Sequence, residues 1–65
     1  MNITLNGSQT RTEQPDLAAL VDSMELASSS LVIEQNGSVI SQSCWSQTPV
    51  REGDVIELLN FVGGG

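Results

Sequence analysis

The sequence contains no lysine, no histidine and no tyrosine, and it carries one cysteine, Cys44, one tryptophan, Trp45, and one phenylalanine, Phe61. Without histidine it lacks the side chain that most often acts as an acid or base near neutral pH and that most often ligates metals. Without lysine it lacks every side-chain amine able to attack an activated acyl group. A lone cysteine closes no internal disulfide, so nothing points to an oxidising compartment. Cys44 has no neighbouring histidine or lysine to activate its thiol and is expected as a small buried hydrophobe with no catalytic role.

Positive charge is almost missing as well. Arg11 and Arg51 stand against eight acidic residues, a formal charge of −6. That is the wrong sign for tracking a phosphate backbone or an anionic membrane surface, so neither nucleic acid nor membrane is expected as a partner. An acidic surface suits a protein partner with a basic patch, and it also simply keeps a chain soluble. Glu52, Asp54 and Glu57 gather near the final strand, where they suit pairing with basic residues of a partner, although a turn and a solvated strand face explain them equally well; their spacing is that of ordinary surface residues and defines no metal site. No apolar run is long enough to span a bilayer, and residues 1–6 have neither the charge nor the apolar length of a secretion signal. The expected location is the cytoplasm.

What remains is a chain of 65 residues, enough for one small core. Its hydrophobic fraction of 38% and charged fraction of 15% are those of a folded domain rather than a disordered one. Met1, Ile3 and Leu5 alternate with polar residues, the period of a strand with one buried face. Asn6-Gly7 supplies a tight hairpin turn, and the polar run Ser8 to Thr12 reads as a returning edge strand. Pro15 suits the first turn of a helix and Asp16 its positive end. Leu17, Leu20, Val21 and Met24 fall on one helical stripe. After the loop Ser28 to Ser30, Leu31 to Ile33 begin a third strand that turns at Asn36-Gly37 into a short segment at Val39-Ile40. Residues 41–49 read as loop with at most one helical turn, in which Trp45 serves as a lid on the core. Beyond the turn at Glu52-Gly53-Asp54, residues 55–62 form the longest apolar strand.

The order β-β-α-β-(β)-β predicts an α+β fold: a mixed sheet of four to five strands with one main helix packed across one face. Its final strand belongs in the interior beside the first. Residues 1–62 are expected to form the folded domain and residues 63–65 a flexible glycine tail. If Ile56 and Leu58 face inward, Leu59 and Phe61 lie on the opposite face, where with Val62 they are candidates for docking a partner; alternatively they only cover the second face of a small sheet.

These features together resemble one family. MNITLNG at the start, the helix from Pro15 to Met24, Asn36-Gly37 before Val39-Ile40, Trp45, Val50, the Glu52-Gly53-Asp54 turn and the ending IELLNFVGGG are similar to the ThiS family, the ubiquitin-like sulfur carriers of thiamin biosynthesis. The likeness covers the whole chain and departs at Ser41-Gln42, where members commonly carry Pro-Arg. The resemblance implies a β-grasp fold and a carrier that is acted upon rather than an enzyme. It also implies that the Gly65 carboxylate is adenylated by a partner enzyme using ATP and becomes a thiocarboxylate that supplies sulfur for the thiazole of thiamin. The implied partners are the adenylating enzyme, thiazole synthase and a sulfur donor such as a cysteine desulfurase, and no cofactor is held permanently. Gly63 and Gly64 would be the stalk threading into the partner, since residues without Cβ atoms make the narrowest tail. A related carrier such as the molybdopterin synthase small subunit, or a ubiquitin-like protein modifier, shares the fold and the glycine ending and stays as an alternative.

Overall fold

The computed structural model describes residues 1–26 and 28–60. Its elements are β1 (Asn2–Leu5), β2 (Ser8–Arg11), α1 (Leu17–Ser23), a 3₁₀ turn at Ser28–Ser30, β3 (Leu31–Gln35), β4 (Ser38–Ile40), a 3₁₀ segment at Gln42–Gln47 and β5 (Val55–Asn60). One sheet holds all five strands in the order β2-β1-β5-β3-β4. The last strand in sequence is thus the middle strand in space, parallel to β1 and antiparallel to β3. Polar β2 lies at an edge, as its composition predicts.

Two hairpins are built with the same device. Asn6-Gly7 joins Leu5 to Ser8, and Asn36-Gly37 joins Gln35 to Ser38. All four turn residues take positive φ, at 49° and 82° in the first turn and 52° and 88° in the second. A two-residue turn of this hand matches the twist of the strands it joins, and asparagine followed by glycine is the pair that adopts it at least strain.

Both asparagines also grip β5. Asn6 donates its N–H to the Ile56 carbonyl, and its Oδ1 accepts the Leu58 N–H at 2.7 Å, which continues the β1 ladder by one rung past the strand's end. From the other side Asn36 donates its N–H to the Val55 carbonyl, and its Oδ1 accepts the Val55 N–H at 2.9 Å. Its Nδ2 donates to Asp54 Oδ1 at 3.0 Å, while Asp54 Oδ2 accepts from Gln35 Nε2 and from the Arg51 N–H. Buried Asp54 therefore ties the second hairpin to the turn that launches β5.

The helix is shorter than its apolar stripe predicts. Asp16 is its N-cap, with Oδ1 accepting the Ala19 N–H at 2.8 Å, so Pro15 stands just outside the helix rather than in its first turn. The Pro15 carbonyl accepts the Val50 N–H, and the Leu17 N–H reaches the Thr48 carbonyl, which docks the helix start onto the segment leading to β5. At the other end Glu25 takes φ 57° and turns the chain away, so Met24 becomes the C-cap, 38% exposed, and the stripe stops at Val21.

Leu17, Leu20 and Val21 pack against Ile3, Leu31, Ile33, Ile56 and Leu58 on one face of the sheet. Trp45 closes this core as expected: it is 5% exposed, and its indole N–H donates to the Ile40 carbonyl at 2.9 Å. Cys44 is exposed, contrary to expectation. In a 3₁₀ segment with three residues per turn only one position in three faces inward, and Trp45 occupies it, leaving the neighbouring thiol outside, 3.5 Å from the Ser41 hydroxyl.

Burial alone raises the Asp54 pKa, but the hydrogen bonds from Asn36, the Arg51 N–H and Gln35, with the Arg51 charge, outweigh it and hold the carboxyl below its usual 3.8. A group whose folded pKa is depressed stabilises the fold fully above its unfolded value and loses that contribution as pH falls through the folded value. Asp54→Asn, which turns an acceptor into a donor facing other donors, should cost about 1–3 kcal/mol at neutral pH. Urea unfolding at a series of pH values should show the gap from wild type constant above about pH 5 and closing as the pH drops below 3.8.

Candidate functional site

One helix covers one face of the sheet, and the other face has no covering element among the described residues. The two faces follow from alternation along the strands. On β5, Ile56 and Leu58 point into the core, while Val55 is 45% exposed, Glu57 half-buried and Leu59 41% exposed. On β3, Leu31 and Ile33 are buried while Val32 and Glu34 lie on the open side. Register then sets neighbours across the open face: Val32 beside Leu59, Glu34 beside Glu57, Val39 of β4 beside Glu34, and Thr4 of β1 beside Val55. Val39 is 66% exposed. The result is an apolar patch of Val32, Val39, Val55 and Leu59 with two carboxylates at its centre.

Leu59 thus stands on the open face, where alternation puts it. Phe61, Val62, Gly63, Gly64 and Gly65 lie outside the described residues. What the structure gives is the point from which they continue: Asn60 pairs with Leu31, and its Oδ1 accepts from the Ser30 hydroxyl at 2.9 Å. The chain beyond Asn60 therefore starts at the end of the sheet where β3 begins, one residue past the exposed Leu59.

The other residues of this face, Val32, Glu34, Val39 and Val55, did not emerge from the linear reading, whereas Glu57 did as one of the acidic residues near the final strand. The signal was present in the alternation of Leu31 to Gln35, but only the pairing of β3 with β5 and β4 brings Val32 beside Leu59 and Glu34 beside Glu57 and Val39. A shallow cleft of about 230 Å³ lined by Gln35, Asn36, Thr48, Pro49, Arg51 and Asp54 lies at the opposite end of β5. Its buried carboxylate is fully engaged in tying turns together. Among the described residues no three His, Cys, Asp or Glu side chains gather as metal ligands, and no helix is long and apolar enough to cross a membrane.

A five-stranded mixed sheet in the order β2-β1-β5-β3-β4, wrapped around one helix and ending on its central strand, defines the β-grasp class. Within that class the chain belongs to the ThiS family, whose model matches residues 3–65. It is 28% identical over 65 residues to the sulfur carrier protein ThiS of Bacillus subtilis, covering 97% of this chain and 98% of that one. The crystal structure of the thiamine biosynthesis protein ThiS from Geobacter metallireducens superposes with a TM-score of 0.85 at 30% identity, with both chains covered in full. The chain is also 32% identical over 66 residues to a thiazole synthase of Magnetococcus marinus and 27% identical to one of Paramagnetospirillum magneticum. It spans 20% of the length of each of those two proteins.

The two faces of β5 respond differently to truncation. Leu58→Ala removes a buried side chain and should cost about 2–5 kcal/mol. Leu59→Ala, one residue on, should change stability by less than about 0.5 kcal/mol. Denaturant midpoints of the two variants measure the contrast, and equal losses would place Leu59 in the core.

Proposed function

We propose that the protein is a sulfur carrier whose reactive group is the α-carboxylate of Gly65, and that the sulfur it delivers enters the thiazole ring of thiamin. The observation that carries this reading is the family match, which runs through Gly63-Gly64-Gly65 and is accompanied by almost complete mutual coverage with the Bacillus subtilis sulfur carrier. Thiazole synthase as the recipient is supported by the two thiazole synthases that contain a stretch similar to this whole chain.

The chemistry follows from the acid itself. A carboxylate is a poor electrophile because its charge is shared over two oxygens. In the proposed cycle an adenylating enzyme lets one carboxylate oxygen attack the α-phosphorus of ATP, which releases pyrophosphate and leaves an acyl-adenylate. Sulfide attacking the carbonyl carbon expels AMP and gives the thiocarboxylate directly. A persulfide, such as one formed on a cysteine desulfurase, gives an acyl disulfide that two electrons from a thiol reductant convert to the same product. The carrier supplies the acyl group, the address and the tail, and its partners supply the catalysis.

Three features of the chain suit that role. Glycines at positions 63 and 64 keep the stalk thin enough for its backbone to lie against a channel wall. Ordering three glycines costs about 3–6 kcal/mol in backbone entropy, which main-chain hydrogen bonds in the channel must offset. The absence of lysine means that no side-chain amine of the carrier competes for the activated acyl group. Leu59 on the open sheet face stands six residues before Gly65 in the sequence, so a partner that grips this face has the terminal carboxylate within a short length of chain. Phe61 and Val62 are assigned to the same contact, between that face and the glycines.

Incubation with ATP, the adenylating enzyme and a sulfur source should change the intact mass by the exchange of one oxygen for sulfur, localised to Gly65 by fragmentation. An unchanged mass, or sulfur at any other residue, overturns the proposal. Gly64→Val should abolish pyrophosphate release while leaving the fold intact by circular dichroism, and release at the wild-type rate would remove the threading step.

A further inference from the structure

The open face contains a feature that the fold alone does not call for. Glu34 and Glu57 are directly opposite on adjacent antiparallel strands, in the middle of the sheet. Side chains so placed have Cβ atoms about 5 Å apart, and like charges there destabilise the pair. Both residues are half-buried. Among the described residues neither carboxylate has a hydrogen bond or an ion pair; the described ion pairs involve Glu13 alone, with Arg11 and the Met1 amino group. Around the two carboxylates stand the aliphatic side chains of Val32, Val39, Val55 and Leu59, which neutralise no charge.

From this arrangement we propose that Glu34 and Glu57 form a two-pronged receptor for the guanidinium of one arginine on the adenylating enzyme, set inside an apolar contact. The proposal rests on the reading of this face as the docking surface and adds the chemistry of what docks. A guanidinium matches the site in three respects. Its planar fork carries enough N–H groups to bridge two carboxylates at once. It is weakly hydrated, so it enters an apolar rim at lower cost than an ammonium. Its single positive charge relieves the repulsion between the two glutamates, so the interaction is worth more in the complex than either carboxylate would give alone. A second copy of this chain is a poor occupant, because two-fold pairing of this face sets glutamates against glutamates and each chain carries a formal charge of −6.

The repulsion gives the inference a signature that a structural role lacks. The Glu34→Gln, Glu57→Gln double variant should be more stable than wild type when free, with Tm higher by about 2–5 °C. The same variant should bind the adenylating enzyme about tenfold more weakly or worse, and its affinity should depend less on salt. Isothermal titration of the full chain against the purified enzyme, with Leu59→Asp as a second variant, separates the outcomes. Higher stability with weaker binding in the double variant supports the receptor. Wild-type affinity in the double variant, with binding lost in Leu59→Asp, overturns the receptor and leaves the docking face standing. Wild-type affinity in both variants overturns both. A double variant no more stable than wild type shows that the free protein holds no such repulsion and also overturns the receptor. Phenylglyoxal footprinting should reveal one enzyme arginine protected by the wild type and not by the double variant, whereas protection confined to lysines rules out the guanidinium. Sedimentation of the wild type as a dimer through this face would assign the surface to self-association instead. Failure of the wild type to bind the enzyme at all would fall on the carrier reading itself.

Discussion

The central position of β5 is the constraint on which the rest of this structure depends. A chain whose last strand lies in the middle of its sheet cannot complete its core until that strand has been inserted between β1 and β3. The insertion is secured from both sides by the two hairpin asparagines, whose side chains complete backbone pairing that β1 and β3 alone leave unfinished. The residues that make the tight turns are thereby the residues that hold the central strand. This economy suits a domain of 65 residues, which has little core with which to fix its strand order by packing alone.

Asn60, the last of the described residues, stands at the end of this central strand. The strand is hydrogen-bonded on both edges, to β1 at Val55 and Ile56 with the Asn6 side chain reaching the Leu58 N–H, and to β3 from Ile56 to Asn60. The sheet is asymmetric in what covers it. Helix α1 and Trp45 cover one face, and on the other the side chains flanking β5 are half-exposed or exposed. A surface that joins aliphatic groups to uncompensated negative charge is a poor one for stability and a good one for selective recognition, because only a partner that brings both apolar contact and a cation satisfies it.

The linear pattern was sufficient for the sheet and its helix because each element in it follows a local rule. Period-two alternation marks β1, the Asn-Gly pairs mark both hairpins, and Leu17, Leu20 and Val21 mark the buried stripe of α1. The deviations arose where a neighbour in space decided the outcome. Pro15 moved outside the helix because Asp16 captured the capping position. Met24 left the core because Glu25 turned the chain there. Cys44 faced solvent because Trp45 claimed the inward position of a tight turn. Each is a contest between adjacent residues for one place, and composition does not show which of them wins.

By itself the sequence determined the strand and helix order, the family with its glycine ending, and the absence of lysine. Those properties depend on local periodicity and on residue identity, both of which are linear. Only the tertiary structure decided that Glu34 faces Glu57, that Val32 lies beside Leu59 and Val39 beside Glu34, and that Asp54 serves as a tie between two turns. Asn36 and Asp54 are 18 positions apart, Glu34 and Glu57 23, and Val32 and Leu59 27, and they meet across strands whose register depends on every other pairing in the sheet. A one-residue change of register would send each of those side chains to the opposite face, which is why their neighbours become legible only once the sheet has closed.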